Sequence, residues 1–302
     1  MHSTHDGLGL GLDAGGTQTR WALARPDGSI VAEGRVAGLS ALQMGSSDGR
    51  AAIRATLAEL AAAVAQHGQP VRLHAGLTGF GFESGQLVQW LAELLAIPEA
   101  AITLCSDIEI AYLAHFARGQ GYLVYAGTGS IGAYIDDAGE FHRAGGRGVV
   151  LDDGGGGFWI AREALRQVWR TEDERPGAWQ ASPMARAIFD YIGGSDWTQS
   201  RQFIYGQERG AVGKLALAVA SSAQDDPAAA AILREAGAEL ARLARALVAR
   251  FGPRPVVLSG RASELHPLVF ESMRAALPPA IALSQSAAGA HLAAARIAAL
   301  PQ

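Results

Sequence analysis

Short apolar segments separated by turns open the chain, and a helical pattern follows them. The segments LGLGLDA, RWALARP and SIVAEGR are joined by turns, of which Pro26-Asp27-Gly28 has the proline and glycine typical of a β-turn. They predict a three-strand antiparallel meander. From about Ser46 to His67, apolar residues recur at three- and four-residue spacing, which predicts a helix. Two further strand–helix pairs follow, so the first third is predicted to be β-β-β-α-β-α-β-α.

The same order of elements begins again after Gly119-Gln120-Gly121. A glycine-bearing hairpin starts each half, LDAGGTQT in the first and YAGTGSIG in the second. In the second half, a glycine-rich loop and a helical insertion precede a long amphipathic helix from about Pro227 to Arg250. Strand, helix, strand and helix complete the repeat. The duplication predicts an α/β protein of two similar lobes, whose two glycine hairpins would face a shared nucleotide cleft and clamp a triphosphate.

The first hairpin carries candidate chemistry. Asp13 ends an apolar strand, Gly15 and Gly16 turn the chain, and Thr17 and Thr19 lead into the next strand. Glycine lets the backbone approach an anion closely, so N–H groups of this turn can converge on a phosphate. The threonines add hydroxyl donors, and Asp13 can hold a hydrated Mg²⁺. An ordinary hairpin turn accounts for the same glycine pair, so both interpretations stay open on this stretch alone.

Composition narrows the class of protein. The chain has 302 residues, of which 49% are hydrophobic and 18% charged, enough to bury a sizeable core. The net charge is −4 and no basic tract is present, so we expect neither a nucleic-acid partner nor an anionic membrane surface. No apolar run reaches the ~18 residues of a membrane span.

A single cysteine, Cys105, excludes an internal disulfide framework and any multi-cysteine metal site within one chain. The N-terminal sequence MHSTHD has no basic region followed by an apolar core, so no signal peptide is predicted. We therefore expect a protein of the reducing cytoplasm.

Four motifs spread over nearly the whole chain carry a resemblance. They are DAGGTQT (Asp13–Thr19), SDIEIA (Ser106–Ala111), AGTGS (Ala126–Ser130) and GGRGVVLDDGGGGFWIAREAL (Gly145–Leu165), joined by VVLSGR and AAGAHLAAAR near the end. The chain resembles the superfamily of sugar kinases, actin and heat-shock chaperone ATPases, and most resembles its N-acetylglucosamine kinase branch, the BadF-type ATPase family. This resemblance implies two ribonuclease-H-like lobes that close on ATP and Mg²⁺. They would comprise residues 1–117 with a closing helix at 287–302, and residues 118–286.

By position, the resemblance also implies roles for single residues. Asp107 would be the catalytic base and Asp13 would hold the metal. The remaining matched positions fall into two groups. The nucleotide-binding group is Gly15, Gly16, Thr17, Thr128, Gly129, Gly213 and Gly260, and the sugar-binding group is Ser130, Gly145, Gly146 and Asp153.

Asp107 and Asp153 both also have a simpler structural interpretation. Asp107 follows the apolar strand AITLC at the start of a helix, where an aspartate is commonly an N-cap. Phosphoryl transfer to a hydroxyl, in contrast, needs a carboxylate that accepts the hydroxyl proton. An aspartate can do both, and we assign Asp107 as the base. Asp153 precedes a helix, and the N-terminus of any helix favours a nearby negative charge. A carboxylate at this position can also accept hydrogen bonds from two sugar hydroxyls.

The chain departs from the family pattern around the sugar. Leu42 lies near a position where an asparagine is common, and Arg147 replaces a common aromatic residue. After Asp153 the usual Glu-Gly-Ser is replaced by glycines, so that Gly154 and Gly156 lack side chains. These departures leave the nucleotide residues unchanged and leave the identity of the sugar open.

We predict an ATP-dependent kinase that transfers the γ-phosphate to a hydroxyl, O6, of an amino sugar such as N-acetylglucosamine or glucosamine. The resemblance also implies a homodimer. One alternative is a BadF-type ATPase without a sugar substrate, but its iron–sulfur branch needs four cysteines and even a dimer has only two copies of Cys105. The other is a non-catalytic nucleotide or sugar sensor on the same fold.

Overall fold

The computed structural model describes residues 7–81 and 84–300, and the chain divides into two compact units. Unit 1 comprises Met1–Ala117 and Ala288–Gln302, and unit 2 comprises Arg118–Ala287. The N-terminal residues 1–6, for which no signal peptide is predicted, lie outside the described ranges. Within those ranges, the structure contains no helix that is both long and apolar enough to span a membrane.

The first part of unit 1 has five strands and three helices in the predicted order. The strands are β1 (Leu8–Ala14), β2 (Gln18–Ala24), β3 (Ile30–Ala37), β4 (Pro70–Leu77) and β5 (Ile102–Ser106). The helices are α1 (Ser47–Ala65), α2 (Gly85–Leu95) and α3 (Asp107–Leu113), with 3₁₀ turns at Ala41–Gly45 and Glu99–Ala101. The sheet order is β3-β2-β1-β4-β5, antiparallel among the first three strands and parallel from β1 to β5.

Unit 2 repeats this topology around a helical insertion. Its strands are β6 (Tyr122–Ala126), β7 (Ser130–Ile135), β8 (Phe141–Gly145), β9 (Val256–Ser259) and β10 (Leu283–Gln285). The inserted helices are α4 (Gly157–Glu174), α5 (Pro183–Ile192), α6 (Trp197–Gly206), α7 (Arg209–Gly213) and α8 (Ala216–Ser222), and α9 (Pro227–Phe251) and α10 (Pro267–Ala276) follow. The sheet order β10-β9-β6-β7-β8 has the same pattern of antiparallel and parallel pairs. The predicted duplicated α/β fold is confirmed.

The hydrophobic periodicity of α1 explains how unit 1 is filled. Its residues Ile53, Leu57, Leu60 and Val64 are all buried, at the spacing that places them on one helix face. They join Leu10 and other strand residues in one core cluster. Fully burying each such side chain stabilises the fold by roughly 1.5–3 kcal/mol.

The last helix, α11 (Ala290–Ala299), belongs to unit 1 and packs directly on β1. A Cβ atom added at Gly9 or Gly11 would overlap the α11 backbone, at Ala299 and Ala295 respectively. The alternation in LGLGL thus gives β1 two different faces. The glycines let α11 approach one face, and the leucines on the other face enter the core cluster. The sequence pattern alone showed only an apolar strand.

One predicted helix is divided. The helix that the repeat predicts after the strand RPVVLSG covers ASELHPLVFESMRAAL, but Arg261–Glu264 forms a 3₁₀ turn and α10 begins only at Pro267. His266 caps α10, because its side chain accepts a hydrogen bond from the Leu268 N–H. Proline lacks an N–H and suits the first turn of a helix rather than its interior, which explains the new start.

Candidate functional site

The carboxyl ends of three parallel strands bring three polar side chains of unit 1 together. Asp13 lies near the end of β1, Thr78 directly follows β4, and Asp107 directly follows β5. Thr78 Oγ1 donates a 2.6 Å hydrogen bond to Oδ2 of Asp107. The two carboxylates predicted to act in catalysis and metal binding therefore share one sheet edge, the edge at which α/β folds bind ligands.

Asp107 is not the N-cap of α3. Ser106 takes that place: its Oγ accepts from the Glu109 N–H, and the Glu109 carboxylate accepts from the Ser106 N–H in a capping box. Asp107 Oδ1 accepts only the adjacent Ile108 N–H, at 2.9 Å. Ser106, not Asp107, therefore caps the helix, and the Asp107 carboxylate accepts a hydrogen bond from Thr78 instead.

Thr78 connects this carboxylate to two other segments. Its N–H donates to the carbonyl of Ala14, and its own carbonyl accepts from Ser40 Oγ at 3.1 Å and from the Ala41 N–H at 2.9 Å. The sequence analysis missed Thr78, because no motif contains it. The available signal was its position, since it follows a buried parallel strand just as Asp107 does.

The electrostatics of Asp13 distinguish it from a surface aspartate. Burial, and then the negative charge of Asp107, raise the pKa of Asp13 from 3.8 to about 6, while Arg20 acts in the opposite direction. Arg20 is the cross-strand partner of Asp13 in the β1–β2 ladder. In residues 7–81 and 84–300, no hydrogen bond reaches the Asp13 side chain. The carboxylate is therefore in a place that a cation would stabilise.

The turn between β1 and β2 is open in the way that a phosphate loop needs. Gly15 closes it by donating to the carbonyl of Gln18, whereas the N–H groups of Gly16 and Thr17 have no partner within the described ranges. Nothing lies within 4 Å of a Cβ atom added at Gly16, and its φ is not positive. Neither packing nor backbone conformation demands this glycine, so it leaves room for a ligand. Thr19, also considered as a phosphate donor, is fully buried in β2 and does not face this space.

In unit 2 the second hairpin gathers residues from distant parts of the sequence. The first residues of α4 dock on it, with the Phe158 N–H donating to the carbonyl of Thr128 at 2.9 Å. A Cβ atom added at Gly213 would lie 3.6 Å from the Thr128 side chain, and one at Gly260 would lie 2.5 Å from the carbonyl oxygen of Ala126. Gly213 and Gly260, predicted to approach the nucleotide, thus both lie beside the second hairpin.

Asp153 lies against the same hairpin. Its Oδ1 accepts from the Gly148 N–H at 3.1 Å, and a Cβ atom added at Gly129 would overlap Oδ2. Its φ of +58° is in the left-handed region that non-glycine residues rarely adopt. Burial raises the pKa of Asp153, against the hydrogen bonds from Gly148 and Arg147 that lower it. A side chain so constrained has a fixed carboxylate, which suits recognition of a ligand.

Three other predicted sugar residues serve the backbone around Asp153. Ser130 is buried, and its hydroxyl donates to the carbonyl of Gly154 at 2.7 Å, so its proton is committed to the loop. Gly145 and Gly146 have φ of +67° and +63°. A side chain on Gly146 would also collide with Ile131, at 2.7 Å. Their glycine identity therefore has a structural reason that holds with or without a sugar.

Of the departures at the sugar site, Leu42 is 76% exposed and lies over Gly79, where an added Cβ atom would be 2.6 Å from its Cγ. Arg147 is also exposed. Neither side chain occupies an enclosed pocket. The positions at which the family commonly offers an amide or an aromatic ring are thus taken by exposed side chains.

The donor set is compatible with Mg²⁺ bound together with phosphate. Among the described residues, no group of three or more histidine, cysteine, aspartate or glutamate side chains could enclose a metal ion. Mg²⁺ usually keeps several waters and is bound through one or two carboxylates plus substrate phosphates. Asp13, with its raised pKa and with Asp107 nearby, offers a site of that kind.

The chain is similar to known proteins in sequence and in fold. Over 169 residues the chain is 30% identical to the glucosamine kinase GspK of Vibrio cholerae serotype O1, covering 54% of this chain and 55% of that protein. The match therefore spans about half the length of this relative.

Among solved structures, a proposed N-acetylglucosamine kinase from Chromobacterium violaceum is 29% identical, with a TM-score of 0.69 over 94% of this chain and 96% of that one. A proposed N-acetylglucosamine kinase from Porphyromonas gingivalis has a TM-score of 0.74 at 17% identity, with the same coverage. A ROK family glucokinase from Streptomyces griseus, solved with glucose and AMPPNP, has a TM-score of 0.59 at 17% identity, over 97% of this chain and 98% of that one. The last two share the fold.

A family model also matches most of the chain. It describes the BadF/BadG/BcrA/BcrD ATPase family and matches residues 10–294, from the first strand to the closing helix. The resemblance carried by the sequence motifs is thereby confirmed. The chain belongs to the BadF/BadG/BcrA/BcrD ATPase family.

Proposed function

We propose that this protein is an ATP-dependent sugar kinase that phosphorylates an amino sugar of the glucosamine or N-acetylglucosamine type at O6. The observation that carries the proposal is the group of Asp13, Thr78 and Asp107 at one sheet edge, beside an open glycine turn. The similarity to a glucosamine kinase and to a proposed N-acetylglucosamine kinase supports the substrate class.

Asp107 acts as the base in this proposal. Each of its oxygens accepts one hydrogen bond, from Thr78 and from the Ile108 N–H, and a carboxylate oxygen can accept a second. The remaining capacity accepts the proton of the sugar hydroxyl while that oxygen attacks the γ-phosphorus. Phosphoryl transfer needs little more from the protein than this positioning and the neutralisation of phosphate charge.

Phosphate binding falls to the two glycine hairpins. The free N–H groups of Gly16 and Thr17 donate to phosphate oxygens, and Thr128 and Gly129 supply the equivalent loop of unit 2. Asp13 would hold Mg²⁺, which would supply positive charge to offset the negative charge of the phosphates. Gly213 and Gly260, without side chains beside the second hairpin, leave space for the nucleotide.

Sugar binding falls to the residues around Asp153. Its buried carboxylate accepts sugar hydroxyls, and the positive-φ backbone at Gly145 and Gly146 presents peptide groups next to Ser130. A fixed carboxylate that must find hydroxyl partners discriminates strongly against ligands that lack them. The resemblance further supports a homodimer as the working form, which light scattering after size-exclusion chromatography would test.

A coupled ADP-release assay tests the proposal. ATP and Mg²⁺ are supplied with glucosamine, N-acetylglucosamine, N-acetylmannosamine, glucose or no sugar, and ³¹P NMR of the product identifies the phosphorylated oxygen. We expect one amino sugar to stimulate ADP release. Asp107→Asn should lower kcat by roughly 10²–10⁴-fold with nucleotide binding retained, whereas Asp190→Asn, an exposed aspartate on α5, should behave as wild type.

Silence with every sugar, together with measured ATP binding, would contradict the kinase proposal and favour a nucleotide or sugar sensor. Unchanged turnover in Asp107→Asn would remove the assignment of the base while leaving the kinase activity itself in place.

A further inference from the structure

The loop that follows Asp153 is held between two elements of unit 2. Gly155 has a φ of +83°, and a Cβ atom added there would lie 2.6 Å from the carbonyl oxygen of Ala236 on α9. A Cβ atom added at Gly156 would lie 2.6 Å from the backbone of Gly129 in the second hairpin. Both positions require glycine because backbone atoms approach closely, and the loop has no space for a side chain at either of them.

Gly154 is different. Its φ is not positive, and the three atoms nearest to a Cβ atom added there belong to the Glu239 side chain, Oε2 at 2.7 Å, Cγ at 2.9 Å and Cβ at 3.0 Å. The end of this side chain can rotate away and its Cβ must shift only by a few tenths of an ångström, so a larger residue here costs less than a clash with backbone would. What the glycine provides is room for Glu239 to lie over the loop.

Arg242 connects Glu239 to the loop. Its Nε donates to Glu239 Oε2 at 2.8 Å, and its Nη2 donates to both carboxylate oxygens of Asp152, at 3.1 and 3.0 Å. Asp152 in turn accepts a long hydrogen bond from the Gly154 N–H, at 3.4 Å. We name these three residues, Asp152, Glu239 and Arg242, the Arg242 bridge. It connects one turn of α9 to the residue before Asp153.

We infer that Arg242 is a positioning residue for sugar binding: through the Arg242 bridge it holds the loop so that the Asp153 carboxylate keeps its place against Gly129 and Gly148. The inference rests on the proposed function, which gives Asp153 its ligand. The left-handed backbone of Asp153 needs such support, because strained conformations persist only where their surroundings hold them. The Gly148 N–H fixes the side chain, and the bridge fixes the chain just before it.

The test compares three variants. Arg242→Gln removes the charge, Arg242→Lys keeps the charge but lacks the planar fork that serves two carboxylates at once, and Arg245→Gln is the control, an exposed arginine on the same helix. We expect Arg242→Gln to raise the KM for the sugar roughly five- to tenfold, the size that two partly exposed ion pairs support. The KM for ATP and kcat should stay within about twofold, Arg242→Lys should be intermediate, and Arg245→Gln should match wild type.

Amide hydrogen exchange without ligand provides a readout that does not depend on activity. In Arg242→Gln, the peptide covering residues 148–156 should exchange faster than in Arg245→Gln, while the β6–β7 hairpin should not change. Equal exchange and equal sugar KM in the two variants would overturn the inference. So would a parallel loss of sugar and ATP affinity, which would indicate a general structural defect.

A wild-type protein that phosphorylates no sugar would instead overturn the proposed function, and the exchange result would still decide whether Arg242 holds the loop. Gly154→Ala provides a second route to the same answer. It should displace Glu239 and leave Arg242 with Asp152 alone, so it should raise the sugar KM and speed exchange of residues 148–156 less than Arg242→Gln does. Unchanged sugar affinity in both Gly154→Ala and Arg242→Gln would show that Asp153 is held without the bridge.

Discussion

Replacing Asp13 with asparagine should stabilise the ligand-free protein at neutral pH while abolishing the proposed kinase activity. The carboxylate is half-buried, lies near the charge of Asp107, and accepts no hydrogen bond within residues 7–81 and 84–300. Its pKa is raised from 3.8 to about 6. Asparagine has nearly the same shape and no charge, so the substitution removes the unfavourable charge and little else.

The expected magnitude follows from linkage. Each pH unit between the folded and unfolded pKa is worth about 1.4 kcal/mol, so ionised Asp13 destabilises the folded state by about 3 kcal/mol at most. Because the pKa of Asp13 is raised in the folded state, the folded protein is more stable when this carboxyl is protonated. That stability is fully present below pH 3.8 and is lost as the pH rises through about 6. The advantage of Asp13→Asn should thus be absent near pH 4 and full above pH 7.

Thermal unfolding from pH 4 to 8 measures this difference. At 2–4 °C per kcal/mol, Asp13→Asn should raise Tm by at most roughly 6–12 °C at pH 7.5. Asp27→Asn is a control of opposite sign, since a hydrogen bond from Ser29 lowers the pKa of Asp27. That contribution is present above pH 3.8 and lost on acidification, so removing it should not stabilise the protein at any pH. Equal Tm values for wild type and Asp13→Asn across the range would refute the reasoning, and Mg²⁺ with ADP should stabilise wild type far more than Asp13→Asn.

Three further substitutions have defined expectations. Thr78→Val removes the hydroxyl that holds Asp107 and should lower kcat roughly tenfold with an unchanged KM for ATP; an unchanged kcat would show that the hydrogen bond does not matter in catalysis. Gly156→Ala brings a methyl group against the Gly129 backbone and should destabilise the protein by about 1–3 kcal/mol in urea unfolding, a cost that Gly154→Ala should not show. Gly11→Ala should be at least as destabilising, because its methyl group would overlap the α11 backbone, and a Tm equal to that of wild type would mean that α11 can move away from β1 without cost.

Hydrophobic periodicity was sufficient to predict the duplicated fold. Each element of the repeat has its own apolar pattern, as in α1 with Ile53, Leu57, Leu60 and Val64, and the order of strands and helices needs no long-range information. The motifs also placed Asp13 and Asp107 at strand ends, and the structure puts both at one sheet edge.

The features that could not be predicted from the sequence depend on contacts between residues that are distant in the chain. Thr78 became visible only through the parallel pairing of β4 with β5, which sets it beside Asp107. From the sequence, the glycines after Asp153 appeared only as positions without side chains. In the structure, the side chain of Glu239, some 85 positions further along, lies where a side chain of residue 154 would be. No local pattern encodes a contact of that kind, because it is made by the packing of α9 on the loop.

The return of α11 to unit 1 has a consequence for biosynthesis. The glycine face of β1 emerges from the ribosome before unit 2 is synthesised, but the helix that covers it is synthesised only after unit 2. All of unit 2 is synthesised in between, on the order of ten seconds or more at 5–20 residues per second. During that interval the nascent first unit presents an uncovered sheet face, whereas unit 2 has its whole chain available as soon as Ala287 emerges. We expect the second unit to complete its folding first, and the first unit to depend on chaperones until α11 emerges.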